Sequence, residues 1–263
     1  MIELLEDFAP KALKEDYDNV GLMIGERKSV INSVLVSLDC TMEVILEAVD
    51  KGCQLIISHH PLLFRKPSSI TEDTLIGAKI RKVIQNNLNL YAMHTNLDVA
   101  EGGLNDIIVN VLGFGNGSII ERSSNGREDK KDGIGRLIEL KDEMTLAELS
   151  SRVKSSLNLG YLRYIGERER KVKKLAVING SGQDYFDKAK NLGADCIISG
   201  DTTYHYVSDL YEEGIAVIDA GHFGTEWPAM KNFALVFEKL LKERGLELNI
   251  LVSEKNFDPY KIY

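Results

Sequence analysis

The sequence predicts an α/β protein of two related lobes with mostly parallel sheets. Three observations predict it. Short apolar runs alternate with amphipathic stretches along most of the 263 residues. Part of that alternation recurs in the second half. The histidines gather where apolar runs stop.

Taken in order, residues 2–14 read as a helix closed by a polar turn at Glu15 to Asn19. VINSVLVSLDC is a strand with its exit at Asp39, and TMEVILEAVDKG a helix stopped by Gly52. QLIIS is a short strand with a continuously apolar centre, as expected when both faces are covered. TLIGAKIRKVIQNN, LNLYAMH and GLNDIIVNVLG continue as helix, strand and helix. The polar, aperiodic stretch Glu121 to Gly133 reads as a linker. It sets the expected domains at residues 1–125 and 126–263. GIGRLIEL, TLAELSSRVKSSL and LRYIG follow as strand, helix and strand. A C-terminal helix over 227–244 is expected to pack back on the first lobe.

The second half then repeats the first. KLAVING, DYFDKAKNLG and CIISG stand in the order of VLVSLD, the helix to Gly52, and QLIIS. Gly52-x-x-x-Ile56-Ile57-Ser58 matches Gly193-x-x-x-Ile197-Ile198-Ser199. The next strand of each half ends in His94-x-x-x-Asp98 or His222-x-x-x-Glu226.

Composition narrows the function. The net charge of −8 argues against a nucleic-acid platform. Three cysteines, odd in number and far apart, indicate neither a zinc ribbon nor a disulfide framework. They suit reduced thiols in a cytoplasmic protein. The N-terminus is acidic and amphipathic, unlike a signal peptide. No apolar run approaches the ~20 residues that span a bilayer.

All five histidines lie at or shortly after a strand end, where open parallel sheets bind ligands. Imidazole and carboxylate together suit a divalent metal. His59, His60 and His222 with Asp98 and Glu226 make five protein ligands. A carboxylate can bridge two ions ~3.5 Å apart. Five ligands leave open positions for water, which implies catalysis or substrate binding. Nitrogen with oxygen suits zinc, iron, manganese or nickel. Adjacent side chains of an extended chain point apart, so His59 and His60 serve two ions, or one ion if the chain turns sharply at Pro61. His94 reads as a ligand or as the group orienting Asp98, the second being preferred. His205 reads equally as a hydrogen-bonded core residue or a functional one. Asp39 and Asp201 either cap the next helix or turn, or touch a ligand.

Asp18-Asn19-Val20-Gly21-Leu22, Ser58-His59-His60-Pro61 and His94-Thr95-Asn96-Leu97-Asp98 form one series of motifs. Ser199-Gly200-Asp201 with His205, and Asp219-Ala220-Gly221-His222 with Thr225-Glu226, complete it. In these motifs the chain resembles the GTP cyclohydrolase 1 type 2 homologues, also called Nif-three-like proteins. The resemblance covers nearly the whole chain. It implies two lobes around a dinuclear metal cleft, a homohexameric ring, and ligands at His59, His60, Asp98, His222 and Glu226. Tyr17 and Met23 depart from the family's usual Trp and Gln.

The leading expectation is a hydrolase with two divalent ions per chain and a small-molecule, nucleotide-like substrate. Bound ions would make hydroxide from water near neutral pH, with His94 or His205 carrying the proton. The alternative is a metal-handling scaffold without turnover. No membrane or nucleic-acid partner is expected.

Overall fold

The computed structural model describes residues 1–262. In chain order come α1 (Ile2–Phe8), β1 (Gly21–Ile24), β2 (Ser33–Ser37), α2 (Met42–Asp50), β3 (Leu55–Ser58), α3 (Leu75–Gln85) and β4 (Asn89–Ala92). Then come α4 (Thr95–Val99), α5 (Leu104–Val111), β5 (Ser118–Arg122), β6 (Gly133–Thr145), α6 (Leu146–Ser156), β7 (Arg163–Ile165) and β8 (Lys171–Ser181). Last are α7 (Phe186–Asn191), β9 (Cys196–Gly200), α8 (Tyr204–Glu212), β10 (Ala216–Asp219), α9 (His222–Glu243) and β11 (Asn249–Val252). The chain divides into two compact units, Met1–Leu97 with Met230–Tyr263, and Asp98–Ala229.

The first unit holds a sheet in the order β1-β4-β3-β2-β11. Only the β1–β4 ladder is antiparallel. Every residue of β2, β3 and β4 is buried, which fits their continuously apolar centres. Leu35, Ile56 and Leu90 pack with Val44, Ile45 and Ala48 of α2 and Val83 of α3. Thr41 and Thr74 cap α2 and α3 by accepting from Val44 N and Gly77 N. The helix expected over residues 2–14 stops at Phe8. Pro10 forces Ala9 out of helical geometry and starts a separate 3-10 turn at Lys11–Leu13.

The second unit holds a six-stranded sheet in the order β5-β6-β8-β9-β10-β7. It is mixed: β8, β9 and β10 run parallel, with antiparallel strands on both sides. The stretch read as a linker supplies the turn of the β5–β6 hairpin. Asp132 closes that turn. Its carboxylate accepts from Glu101 N, Arg127 N and the Arg127 guanidinium.

The internal repeat is visible in the backbone. Gly52 and Gly193 end α2 and α7 at φ +65° and +85°, a region open to glycine at little cost. The following amides close the same motif, Cys53 N to Ala48 O and Ala194 N to Ala189 O.

The C-terminal helix begins at His222, five residues before its expected start. Pro228 lies inside it, not at its first turn. His222 and Glu226 are therefore one helical turn apart on one face.

Candidate functional site

In the first unit the parallel strands deliver their exits to one edge. His59 N and His60 N donate to Ser37 O and Leu38 O, and Met93 N to Ser58 O. β3 has ended at Ser58, whose hydroxyl donates to His60 O at 2.9 Å. That turn brings the neighbouring rings together, with centroids 5.2 Å apart. Strand alternation no longer applies beyond Ser58, so the two side chains do not point apart. His94 joins them: one donor atom from each of His59, His60 and His94 lies within 4.8 Å of the others. His59 is fully buried, and the other two are half-buried.

Each of these rings is held by Nδ1. His59 Nδ1 lies 2.8 Å from Met93 O, His60 Nδ1 2.8 Å from Asp39 Oδ1, and His94 Nδ1 2.8 Å from Asp18 Oδ1. A carbonyl or carboxylate oxygen accepts, so Nδ1 carries a proton, and in the neutral ring Nε2 is then the nitrogen able to act as a ligand. Asp18 is buried, which by itself pushes its carboxyl up. Hydrogen bonds from His94 and from the Thr95 hydroxyl and amide outweigh this and hold it down at about 2. Tyr17 is exposed and packs edge-on to Phe64 at 6.4 Å, and Phe64 packs edge-on to His94 at 6.2 Å.

The second unit repeats the device. His222 Nδ1 lies 2.6 Å from Asp201 Oδ2. Asp201 sits just past β9 at φ +51°, a left-handed position that aspartate tolerates better than most residues. His222 Nε2 faces Glu226 Oε2 at 2.9 Å, and Glu226 is only 4% exposed. With Nδ1 donating to Asp201, the close approach of Nε2 to Glu226 is met by a proton shared between ring and carboxyl, or by a cation bound to both. Gly180 makes room for Glu226: at its φ of +60° a Cβ would lie 2.1 Å from Glu226 Oε1. The Asp98 carboxylate accepts from Asn179 Nδ2 at 2.8 Å.

The structure thus gathers His59, His60 and His94 in one unit, and His222 with Glu226 in the other. His94 is bonded to Asp18, where the sequence reading preferred Asp98. His205 is exposed on the first turn of α8, with its ring against Tyr204. Asp39 and Asp201 each lie within hydrogen-bond distance of a histidine Nδ1. Asp18, Asn179 and Gly180 were missed, though the first lies within a motif already singled out. Three imidazoles in the first unit, and an imidazole with a buried carboxylate in the second, are donor types that suit a divalent cation. Among the described residues, no helix is long and apolar enough to cross a membrane.

A family model described as Duf34/NIF3 (NGG1p interacting factor 3) matches residues 1–259. A Clostridium acetobutylicum protein named GTP cyclohydrolase 1 type 2 homolog is 54% identical over 261 residues, covering 99% of this chain and 97% of its own. Among solved structures, Staphylococcus aureus hypothetical protein SA1388 aligns at TM-score 0.92 and 32% identity, over 100% of this chain and 97% of its own. A Bacillus cereus protein related to NIF3 aligns at TM-score 0.90 and 26% identity, over 100% of this chain and 98% of its own.

Proposed function

Because the chain belongs to the Duf34/NIF3 family, we propose that it is a dinuclear metal-dependent hydrolase acting on a nucleotide-like small molecule. In this reading His59, His60, Asp98, His222 and Glu226 hold two divalent ions. One observation supports it: His59, His60 and His222 each have Nδ1 tied to an oxygen acceptor, the arrangement typical of imidazoles that bind metal through Nε2. Two such ions, when bound, would supply Lewis acidity and would lower the pKa of water.

The chain's own groups supply the rest. His94, fixed by Asp18, offers Nε2 beside His59 and His60 as the proton carrier. His205 is the second candidate for that role, and its exposure leaves it open to solvent. The exposed Tyr17–Phe64 pair beside His94 offers flat apolar faces to a ring system, which favours a nucleobase-like substrate. The relatives' name points the same way. A homohexameric ring and a cytoplasmic place belong to this reading.

The test is metal analysis of the purified protein, followed by turnover assays on nucleotides, phosphoesters and cyclic amides. Close to two ions per chain are expected, with fewer in Asp98→Ala and Glu226→Ala. Activity should vanish in His60→Ala. One ion in a fully loaded sample would count against the dinuclear reading. Two tightly held ions with no turnover across the panel would instead support a metal-handling scaffold. Light scattering checks the hexamer.

A further inference from the structure

We infer that Asn256, near the C-terminus, is a positioning residue for His60, acting through the exit of β2. This rests on the proposed role of His60 as a metal ligand and adds a residue that no motif pointed to.

β2 lies between β3 and β11, and its exit is gripped from both sides. On the β3 side, His60 N donates to Leu38 O at 2.9 Å, and His60 Nδ1 meets Asp39 Oδ1 at 2.8 Å. On the β11 side the strand ladder ends with Ser253 N donating to Val36 O at 2.9 Å. Beyond it one side-chain atom takes over. Asn256 Oδ1 accepts from Leu38 N and from Asp39 N, each at 3.0 Å. Two consecutive amides on one oxygen define the backbone corner from which the Asp39 side chain leaves. That corner decides whether the carboxylate reaches His60.

Asn256 is itself held. Ser253 Oγ donates to Glu47 Oε2, Glu254 N donates to Glu47 Oε1 at 2.9 Å, and Lys255 N donates to Ser253 Oγ at 3.1 Å. Glu47 is a buried carboxylate on α2, so the tail is anchored to a helix of the core. Asn256 Nδ2 is buried and makes no hydrogen bond. The oxygen alone does the positioning, and an aspartate at this place keeps it.

The experiment uses the full-length protein, with Asn256→Leu (no acceptor) and Asn256→Asp (acceptor kept). Long-range proton–nitrogen spectra of the imidazoles in metal-free protein read the His60 tautomer, with exposed His205 as internal reference. Zinc affinity is read by chelator competition. In Asn256→Leu the His60 signals should move toward mixed tautomers while those of His205 stay, and zinc binding should weaken about tenfold. Asn256→Asp should keep both within about threefold of wild type. Unchanged His60 signals in Asn256→Leu would overturn the inference, as would equal zinc loss in both variants. If the leucine variant does not fold, Asn256→Ser is read the same way, since its shorter side chain cannot reach both amides. A wild-type protein that binds no zinc would defeat the metal reading, and the metal-free spectra would still decide the role of Asn256.

Discussion

Asp39 accepts from His60 across an interval of 21 residues, and the same interval separates Asp201 from His222. Each pair spans one strand exit, one helix and the next strand exit: β2, α2 and β3 in the first unit, β9, α8 and β10 in the second. In a parallel sheet the neighbouring strand's exit lies beside its predecessor's. A carboxylate at the first exit and a histidine at the second are thereby brought into reach. The shared interval follows from βαβ units of equal length.

The two pairs should therefore fail alike. Asp39→Asn and Asp201→Asn keep shape but can offer an N–H where the ring also presents one. Each is expected to weaken zinc or manganese affinity about 10- to 100-fold, with little change in the unfolding midpoint. Chelator competition beside thermal unfolding measures both. Wild-type affinity in either variant would mean that its carboxylate does not set the ring.

Much of the site was legible because it is local. Strand-end histidines, the glycines after α2 and α7, and the paired His-x-x-x-Asp/Glu exits are periodic or short-range signals. What escaped depends on the folded chain. Asp18 meets His94 across 76 residues, and Asn256 meets Leu38 across 218. No periodicity encodes such distances. The antiparallel flanks of the second sheet escaped for a related reason. β6 and β8 are 13 and 11 residues long and pair across a full helix and β7. The sequence left two arrangements open for His59 and His60, because only the folded chain shows the turn after Ser58 that brings their rings together.

An ion pair between a buried arginine and a half-buried aspartate in the second unit gives a stability test. Arg136 on β6 is 1% exposed, and Asp106 on α5 binds its guanidinium through Nε and, at 2.8 Å, Nη2. Gly133 O and Gly135 O accept from Nη1. Asp106→Ala leaves a buried cation without its carboxylate and should cost about 3–5 kcal/mol. Arg136→Met in the same chain should recover much of that loss, because the unpaired charge is gone. Urea unfolding of the single and double variants measures it. A cost that the double variant does not reduce would mean packing, not charge, dominates there.

Asp132 gives a pH dependence with a definite sign. It is fully buried, which pushes its carboxyl up, but Arg127 and the amides of Glu101 and Arg127 prevail and hold it at about 2. The unfolded value is near 3.8. A depressed folded pKa contributes stability above the unfolded value and loses it as pH falls through the folded one. The contribution, about 2 kcal/mol, is thus present above pH 4 and fades between roughly pH 4 and pH 2. Asp18 titrates in the same window, so the measurement is a difference. Denaturation of wild type minus Asp132→Asn should show this loss, and a flat difference from pH 6 to pH 2 would exclude it.

Gly180 offers the sharpest test of the carboxylate in the second unit. It sits on β8 at φ +60°, where an added methyl group is strained and also lies 2.1 Å from Glu226 Oε1. Glu226 cannot retreat freely, because it is buried one helical turn from His222. Its neighbour Thr225 accepts from Gly180 N at 3.0 Å, which ties the two segments together. Gly180→Ala should therefore displace the Glu226 carboxylate away from His222 Nε2. Metal content should fall as it does in Glu226→Gln, and the unfolding free energy should drop by about 1–3 kcal/mol. The double variant Gly180→Ala, Glu226→Gln should bind no less metal than Glu226→Gln alone, since both changes remove the same ligand. Additive losses in metal affinity would show that Gly180 acts on some other group, and the pairing of His222 with Glu226 would need a different explanation.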